Sequence, residues 1–335
     1  MKTRRLGKTG LLVSELALGG MTFGWGRPGG RFDAIQAPAA EADRIIGVAL
    51  DRGINLIDTA NIYGDGGSEE IIGRALEGRR DRVVVATKVR GPMGPSPEDK
   101  GLSRRHIIAA CEASLRRLRI STIDLYQVHY PDPATPIEET LSALHALVRA
   151  GKVRHVGACN FGSYLTTKAL WISDRFGLAR LATLQQQYSL VVRAIEEEIL
   201  PLCLAEDLGV LAFSPLAHGF LSGKYRRGEP PPPASRLARF THVLERHDVD
   251  RDWAVVDEVR RVAAELGTTP SRVAHAWVMA QPGVSSVIVG ARTVAHLEDS
   301  LGAAELDLPA EAMARLDQLS RIPLRYPFGG QRRPD

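Results

Sequence analysis

Asp58, Tyr63, Lys88 and His129 are the side chains in this sequence whose types and placement suggest chemistry. Three of them fall where an apolar run gives out, and the fourth follows closely. Ile54-Asn55-Leu56-Ile57 ends at Asp58, with Tyr63 in the loop beyond; Val83 to Thr87 runs into Lys88, and Ile123 to Val128 into His129. The combination suits delivery of a proton to a carbonyl oxygen. A free tyrosine has a pKa of about 10 and needs help to act as an acid near neutral pH. A neighbouring ammonium favours the phenolate and lowers that pKa, and a carboxylate paired with the lysine keeps it charged and oriented. A histidine can donate a hydrogen bond to the carbonyl oxygen and so orient the substrate. The set holds no obvious nucleophile and no metal site. It fits an enzyme whose hard step is supplied by a cofactor, such as hydride transfer from a nicotinamide. Taken singly, each residue also has an ordinary structural role: Asp58 as a helix cap, Tyr63 as cover for a core edge, Lys88 pointing to solvent, His129 as a satisfied, partly buried ring. Lys88 alone also reads as the Schiff-base lysine of a barrel aldolase, although a nearby Asp58 would keep that amine protonated.

The elements that must position these groups alternate. Residues 4 to 14 read as a hairpin turning at Lys8, Thr9 and Gly10. Strands follow at 16–20, 54–58, 83–88, 123–129, 153–159, 181–187, 210–213 and 286–289. Helical stripes lie between them, for instance Ile107, Ile108, Cys111, Leu115 and Leu118. Thr135-Pro136-Ile137-Glu138 reads as a capping box with proline in the first helical position, opening a helix that runs to Gly151. A proline-rich excursion at 228–234 reads as a surface loop, a helix ends at Gly267, another starts near Thr269-Pro270, and a last one spans 310–319. Eight strand–helix units imply parallel strands with helical crossovers. They close most naturally into a (β/α)₈ TIM barrel, an α/β fold, with an N-terminal hairpin and extra helices near the C-terminus. A doubly wound open sheet is the alternative. Residues 1–335 form one domain on this reading, because no linker divides them. In a barrel the C-terminal strand ends converge on one mouth, which would gather the four groups. A literal GxGxxG at Gly24, Gly26 and Gly29 is not a dinucleotide fingerprint, because Pro28 and Gly30 continue an irregular segment and no helix opens there.

Composition narrows the classes. The 335 residues are 44% hydrophobic and 24% charged, ordinary for a globular protein, and the net charge of +4 is too small and dispersed to argue for nucleic acid. It suits a phosphate-bearing cofactor without requiring one. Cys111, Cys159 and Cys203 are too far apart for a disulfide framework or a metal site. No run is long enough to span a membrane and the N-terminus lacks the apolar core of a signal peptide, so the expected location is cytoplasmic. Nothing in the sequence selects between a monomer and a homo-oligomer.

The motifs Leu18 to Gly24, Asn55 to Ala60 with Tyr63-Gly64 and Ser68-Glu69-Glu70, Ala86-Thr87-Lys88, Asp124 to His129, Gly151 to Arg154, Phe213-Ser214-Pro215-Leu216, Leu221 to Tyr225 and Gly290 to Thr293 occur in the order seen in aldo-keto reductases. The sequence resembles that family along nearly its whole length, nearest to the branch of the potassium-channel β-subunits. The resemblance implies an NADPH-binding barrel without a Rossmann domain that reduces a small carbonyl compound, the reverse oxidation being possible. It implies a catalytic tetrad of Asp58, Tyr63, Lys88 and His129, with Tyr63 the acid, Lys88 and Asp58 tuning it, and His129 orienting the carbonyl. Implied cofactor contacts are Gly20, Met21 and Thr22 with Asp58; Asn160 and Gln185 at the carboxamide; and Phe213 against the nicotinamide. Ser214, Leu216, Gly219 and Lys224 map to the pyrophosphate, Pro215 is a further implied cofactor contact, and Arg236 after the proline run matches an arginine of the channel-subunit-like relatives. Gly290, Ala291 and Arg292 map to the 2′-phosphate of NADP+. His296, Asp299 and Ser300 stand where relatives commonly have Gln, Glu and Asn, which leaves NADH possible as a cofactor. A channel-type regulatory subunit that binds NADPH with little turnover is the alternative. Specificity would lie in the strand–helix loops, here Trp25 with its Gly-rich loop, residues 91–101, Tyr130 and the tail after Pro323.

Overall fold

The computed structural model describes residues 1–24, 37–233, 235–323 and 326. Trp25, Gly26 and Gly29 of the first loop, and most of the tail after Pro323, therefore lie outside the described residues. The chain opens with an antiparallel hairpin, β1 (Thr3–Arg5) and β2 (Leu12–Ser14). Eight parallel strands then close a barrel: β3 (Leu16–Gly19), β4 (Leu56–Asp58), β5 (Val84–Val89), β6 (Ile123–Val128), β7 (Val153–Cys159), β8 (Leu181–Gln187), β9 (Gly209–Phe213) and β10 (Val284–Gly290). Each pairs with its neighbour in sequence, and β10 returns to β3. The open-sheet alternative is thereby excluded.

The helices α1 (Ala39–Asp51), α2 (Gly67–Ala75), α3 (Arg104–Leu118), α4 (Ile137–Arg149), α5 (Ser163–Phe176) and α6 (Ile199–Ala205) join successive strands up to β9. Between β9 and β10 the chain makes α7 (Arg236–Arg239), α8 (Thr241–His247), α9 (Asp250–Glu265) and α10 (Pro270–Met279); α11 (Val294–Leu301) and α12 (Ala310–Ser320) follow β10. Strands covered on both faces need apolar side chains on both faces, and β6 is buried at every residue. Leu6 and Val13 of the hairpin cluster with Ala17, Leu56, Ala86, Leu125 and Leu211 inside the barrel, plugging its N-terminal end. That leaves the opposite mouth for the site.

Helix starts follow local chemistry. Ser103 caps α3 by accepting from His106 N–H, and Thr269 caps α10 by accepting from Arg272 N–H with Pro270 in the first turn. The capping box expected at Thr135 does not form: α4 begins at Ile137 behind Pro136, with no side-chain cap. Thr135 instead donates its hydroxyl to Asp132 Oδ2 at 2.8 Å, because that carboxylate already organises the turn through Leu102 and Ala134 N–H. No helix among the described residues is long and apolar enough to cross a membrane.

Candidate active site

Strand register brings the first group of residues together. Asp58 ends β4 opposite Ala86 of β5, so Lys88, two residues on, projects to the same face at the mouth. Lys88 pairs in turn with Gln127 of β6. Lys88 is fully buried, so neither a solvent-facing lysine nor a capping aspartate describes the pair. Its Nζ donates to Asp58 Oδ2 at 2.6 Å and to the Thr59 carbonyl at 2.9 Å. Asp58 Oδ1 accepts from Gln185 Nε2 at 2.8 Å and from Gln127 Nε2 at 3.2 Å. A buried carboxylate is costly unless paired and hydrogen-bonded, and here both oxygens are engaged.

The loop after β4 is held against its neighbours. Thr59 N–H donates to the Ala86 carbonyl at 2.8 Å and Asn61 N–H to that of Lys88 at 3.2 Å. Thr59 and Ser68 share a hydroxyl hydrogen bond, and Ser68 Oγ donates on to the Gly20 carbonyl. Gly64 and Gly66 take positive φ in the turn into α2. At the start of that helix, buried Glu69 accepts from Thr87 Oγ1 and Arg117 Nε. The result places the Tyr63 ring with its centroid 5.1 Å from Lys88 Nζ and edge-on to His129 at 5.7 Å. His129 follows β6, and Tyr130 stacks on it at 5.2 Å.

The electrostatics differ from expectation in one respect. Burial pushes the Tyr63 phenol up to about 12, and the opposing charge and hydrogen bond of Lys88 do not cancel that rise. The lysine therefore limits the increase rather than producing a net decrease. Burial is the largest single influence on Lys88 and lowers its pKa, but the charges of Asp58, Tyr63 and Cys159 and the Asp58 hydrogen bond together outweigh it, and the net direction is upward. His129 is pulled down to about 3, first by burial and then by Lys88 and Arg90. At neutral pH the site thus holds a protonated phenol, an ammonium and an uncharged imidazole.

Asp58, Tyr63 and His129 stand at one end of a cavity of about 750 Å³, and Lys88 is not part of its lining. Met21, Thr22, Asn160, Gln185, Phe213, Ser214, Pro215, Leu216, Gly219, Lys224, Arg236, Gly290, Arg292, His296, Asp299 and Ser300 line it as well. Gly20 and Ala291 do not. Their carbonyls face the scaffold, taking hydrogen bonds from Ser68 Oγ and Thr22 Oγ1. Asn160 holds a left-handed backbone and donates Nδ2 to the His129 carbonyl at 3.0 Å. Ser214, Ala217, His218 and Gly219 also take positive φ, which folds the segment after β9 tightly over the cavity. Near α11, Asp299 Oδ1 accepts from Thr269 Oγ1 and Arg272 Nε, and Ser300 Oγ donates to the His296 carbonyl.

Several lining residues escaped the sequence reading: Arg90, His218, Ser222, Ser271 and His275. Ser271 and His275 had a signal, being one turn apart just inside the helix start expected at Thr269-Pro270. His218 lies inside the segment assigned to the pyrophosphate.

The far end of the cavity is cationic. Arg236 Nε is buried with no hydrogen-bond partner, and the guanidinium pKa is lowered by burial and then by the charge of Arg292. Arg292 and Lys224 likewise press down the His296 imidazole, after burial. Asp299 nearby is engaged by Arg272, and among the described residues no carboxylate is ion-paired to Lys224, Arg236 or Arg292; such cations fit a phosphate-bearing ligand, for which a guanidinium is well shaped.

The model of the aldo/keto reductase family matches residues 15–321. Curated relatives align along almost their full length. An uncharacterized oxidoreductase, YrpG, from Bacillus subtilis is 38% identical over 330 residues, covering 95% of this chain and 96% of its own. A probable voltage-gated potassium channel subunit beta from Arabidopsis thaliana is 34% identical over 328 residues, 96% of each. Protein tas from Escherichia coli is 32% identical over 354 aligned positions, covering 96% of this chain and 98% of its own.

Proposed function

The chain belongs to the aldo/keto reductase family of oxidoreductases, and from that premise we propose that it reduces an aldehyde or ketone to the alcohol, reversibly, with NADPH. The observation that carries the reading is the buried ammonium of Lys88, held by Asp58 beside the Tyr63 phenol and the neutral His129. Lys224, Arg236 and Arg292 would hold the phosphates, Asn160 and Gln185 the carboxamide, and Phe213 the nicotinamide face. When bound, NADPH supplies the hydride.

The protein's own residues do the rest. Tyr63, protonated at neutral pH, donates its proton to the carbonyl oxygen as negative charge develops there. Lys88 then stabilises the phenolate that remains, and Asp58 keeps Lys88 charged and aimed. His129, uncharged, donates one N–H to the same oxygen and sets the substrate's orientation. Consumption of NADPH against a panel of carbonyl compounds tests the reaction. Tyr63→Phe is expected to lower kcat about 100- to 10,000-fold on the best substrate with NADPH binding retained; reduction at the wild-type rate would remove Tyr63 as the acid. A regulatory subunit of the channel type is the second reading, favoured by the similarity to the channel β-subunit relative. Tight NADPH binding with no turnover of any carbonyl would select it.

A further inference from the structure

Arg90 sits two residues beyond Lys88, on the turn after β5, and lines the same cavity as Tyr63 and His129. Its backbone takes φ of +142°, a conformation L side chains rarely adopt. The Gly101 N–H, donating to the Arg90 carbonyl at 2.9 Å, helps hold it there. The next residue, Gly91, lies so close to Ile62 that a Cβ would come within 2.4 Å of that side chain. The turn is thus packed against the residue that precedes Tyr63.

Among the described residues no side chain is ion-paired to Arg90 to match this effort. Its Nε is buried without a hydrogen bond, and among the described residues no carboxylate lies within ion-pair distance of it. Asp132 feels its charge but is committed elsewhere: Oδ2 takes Leu102 N–H and the Thr135 hydroxyl, and Oδ1 takes Ala134 N–H. The phosphate-type cluster of Arg236 and Arg292 does not explain Arg90 either. In the closed strand order β5 stands across the barrel from β9, after which Arg236 is placed.

Resting on the reductase reading above, we propose that Arg90 selects carbonyl substrates that carry an oxyanion, a carboxylate or a phosphate, and pairs with that charge beside Tyr63. A half-buried guanidinium whose Nε is enclosed without an acceptor favours an anion that supplies one, since charged hydrogen bonds are the strong ones. The anion would also hold the carbonyl end of the molecule in place against Tyr63 and His129, so part of its binding would be used for orientation.

Three aldehydes of similar shape test this: para-carboxybenzaldehyde, its uncharged methyl ester and para-formylphenyl phosphate, each with NADPH and the full-length chain. The wild type is expected to prefer at least one charged aldehyde over the ester by about 10- to 100-fold in kcat/KM. The better of the two identifies the oxyanion. Arg90→Gln should bring that ratio close to one, mainly through KM, and Arg90→Lys should restore part of it; unfolding would be seen separately by circular dichroism. A wild-type preference for the ester, or a ratio that Arg90→Gln leaves in place, overturns the proposal. If none of the three is reduced although NADPH binds, the reductase reading fails instead. Calorimetry of benzoate and phenyl phosphate binding to the NADPH complex still decides Arg90: binding lost in Arg90→Gln supports it, and equal binding in both proteins refutes it.

Discussion

The two ends of the cavity solve the problem of buried charge in opposite ways. At the Tyr63 end the chain completes the network around Lys88 and leaves Arg90 outside it: the Lys88 ammonium has Asp58 and the Thr59 carbonyl, and Asp58 has two glutamine amides besides. At the far end Arg236 has a buried, unpartnered Nε and the charge of Arg292 for a neighbour. A self-satisfied cluster is rigid before anything binds, as a proton donor must be. An unsatisfied cluster stores an unfavourable interaction that a ligand's anion removes, so part of the binding energy is set aside in the unliganded protein.

The sharpest way to break that contrast is to remove one charge from each end. Lys88→Met leaves Asp58 buried without its cation, and losing one partner of a buried pair costs about 3–5 kcal/mol. A large drop in denaturant midpoint is therefore expected alongside loss of activity. Double substitution with Asp58→Asn should recover much of the stability and none of the activity. If Lys88→Met alone unfolds at the wild-type midpoint, the pair is not the closed unit described here.

Arg236→Leu should behave in the opposite sense. No carboxylate among the described residues is ion-paired to Arg236, so its removal leaves none of them without a partner. Stability should be unchanged or raised by about 1 kcal/mol, because a poorly compensated buried charge is replaced by an apolar group. NADPH affinity, read by quenching of protein fluorescence, should fall about tenfold or more, the worth of one charge-assisted hydrogen bond. Raised salt should weaken NADPH binding in the wild type more than in the variant. A variant that lost stability and kept NADPH affinity would make Arg236 a structural residue.

How far the sequence could be read follows the same division. The barrel was legible because eight apolar runs, separated by helical stripes, carry their pattern locally, and the strand ends at Asp58 and Lys88 came with it. The cap expected at Thr135 was misread because Asp132, three residues earlier, takes the threonine hydroxyl. Arg90 and His218 were missed for a different reason. Each sits on positive-φ backbone, and for Arg90 a hydrogen bond from distant Gly101 contributes, which no local pattern announces. The α7 and α8 helices are too short for periodicity to mark them. The direction of the Tyr63 shift was also out of reach, since it turns on burial outweighing Lys88 and burial is set by the whole fold.

Titration offers the finest comparison, because each end holds a histidine kept neutral by different neighbours. Burial is the largest cause at both. Beyond it, His129 is lowered to about 3 by Lys88 and Arg90, whereas His218 is lowered to about 4 by Arg236 and then by His247, Arg246 and His242. Both start from an ordinary value of 6.5, so the unfolded chain binds more protons than the folded one below that pH. Stability therefore falls as pH drops from about 6.5 towards 4, and these two groups add nothing to the slope above that window. Arg236→Leu removes one of the charges on His218 and none of those named for His129. Imidazole resonances followed by NMR should show the His218 pKa moving up, with His129 unmoved and the acid-side loss of stability slightly shallower. Equal shifts at both histidines would mean that the two regions share one field, and that the division between the self-satisfied Lys88 network and the Arg236 cluster is not electrostatically real.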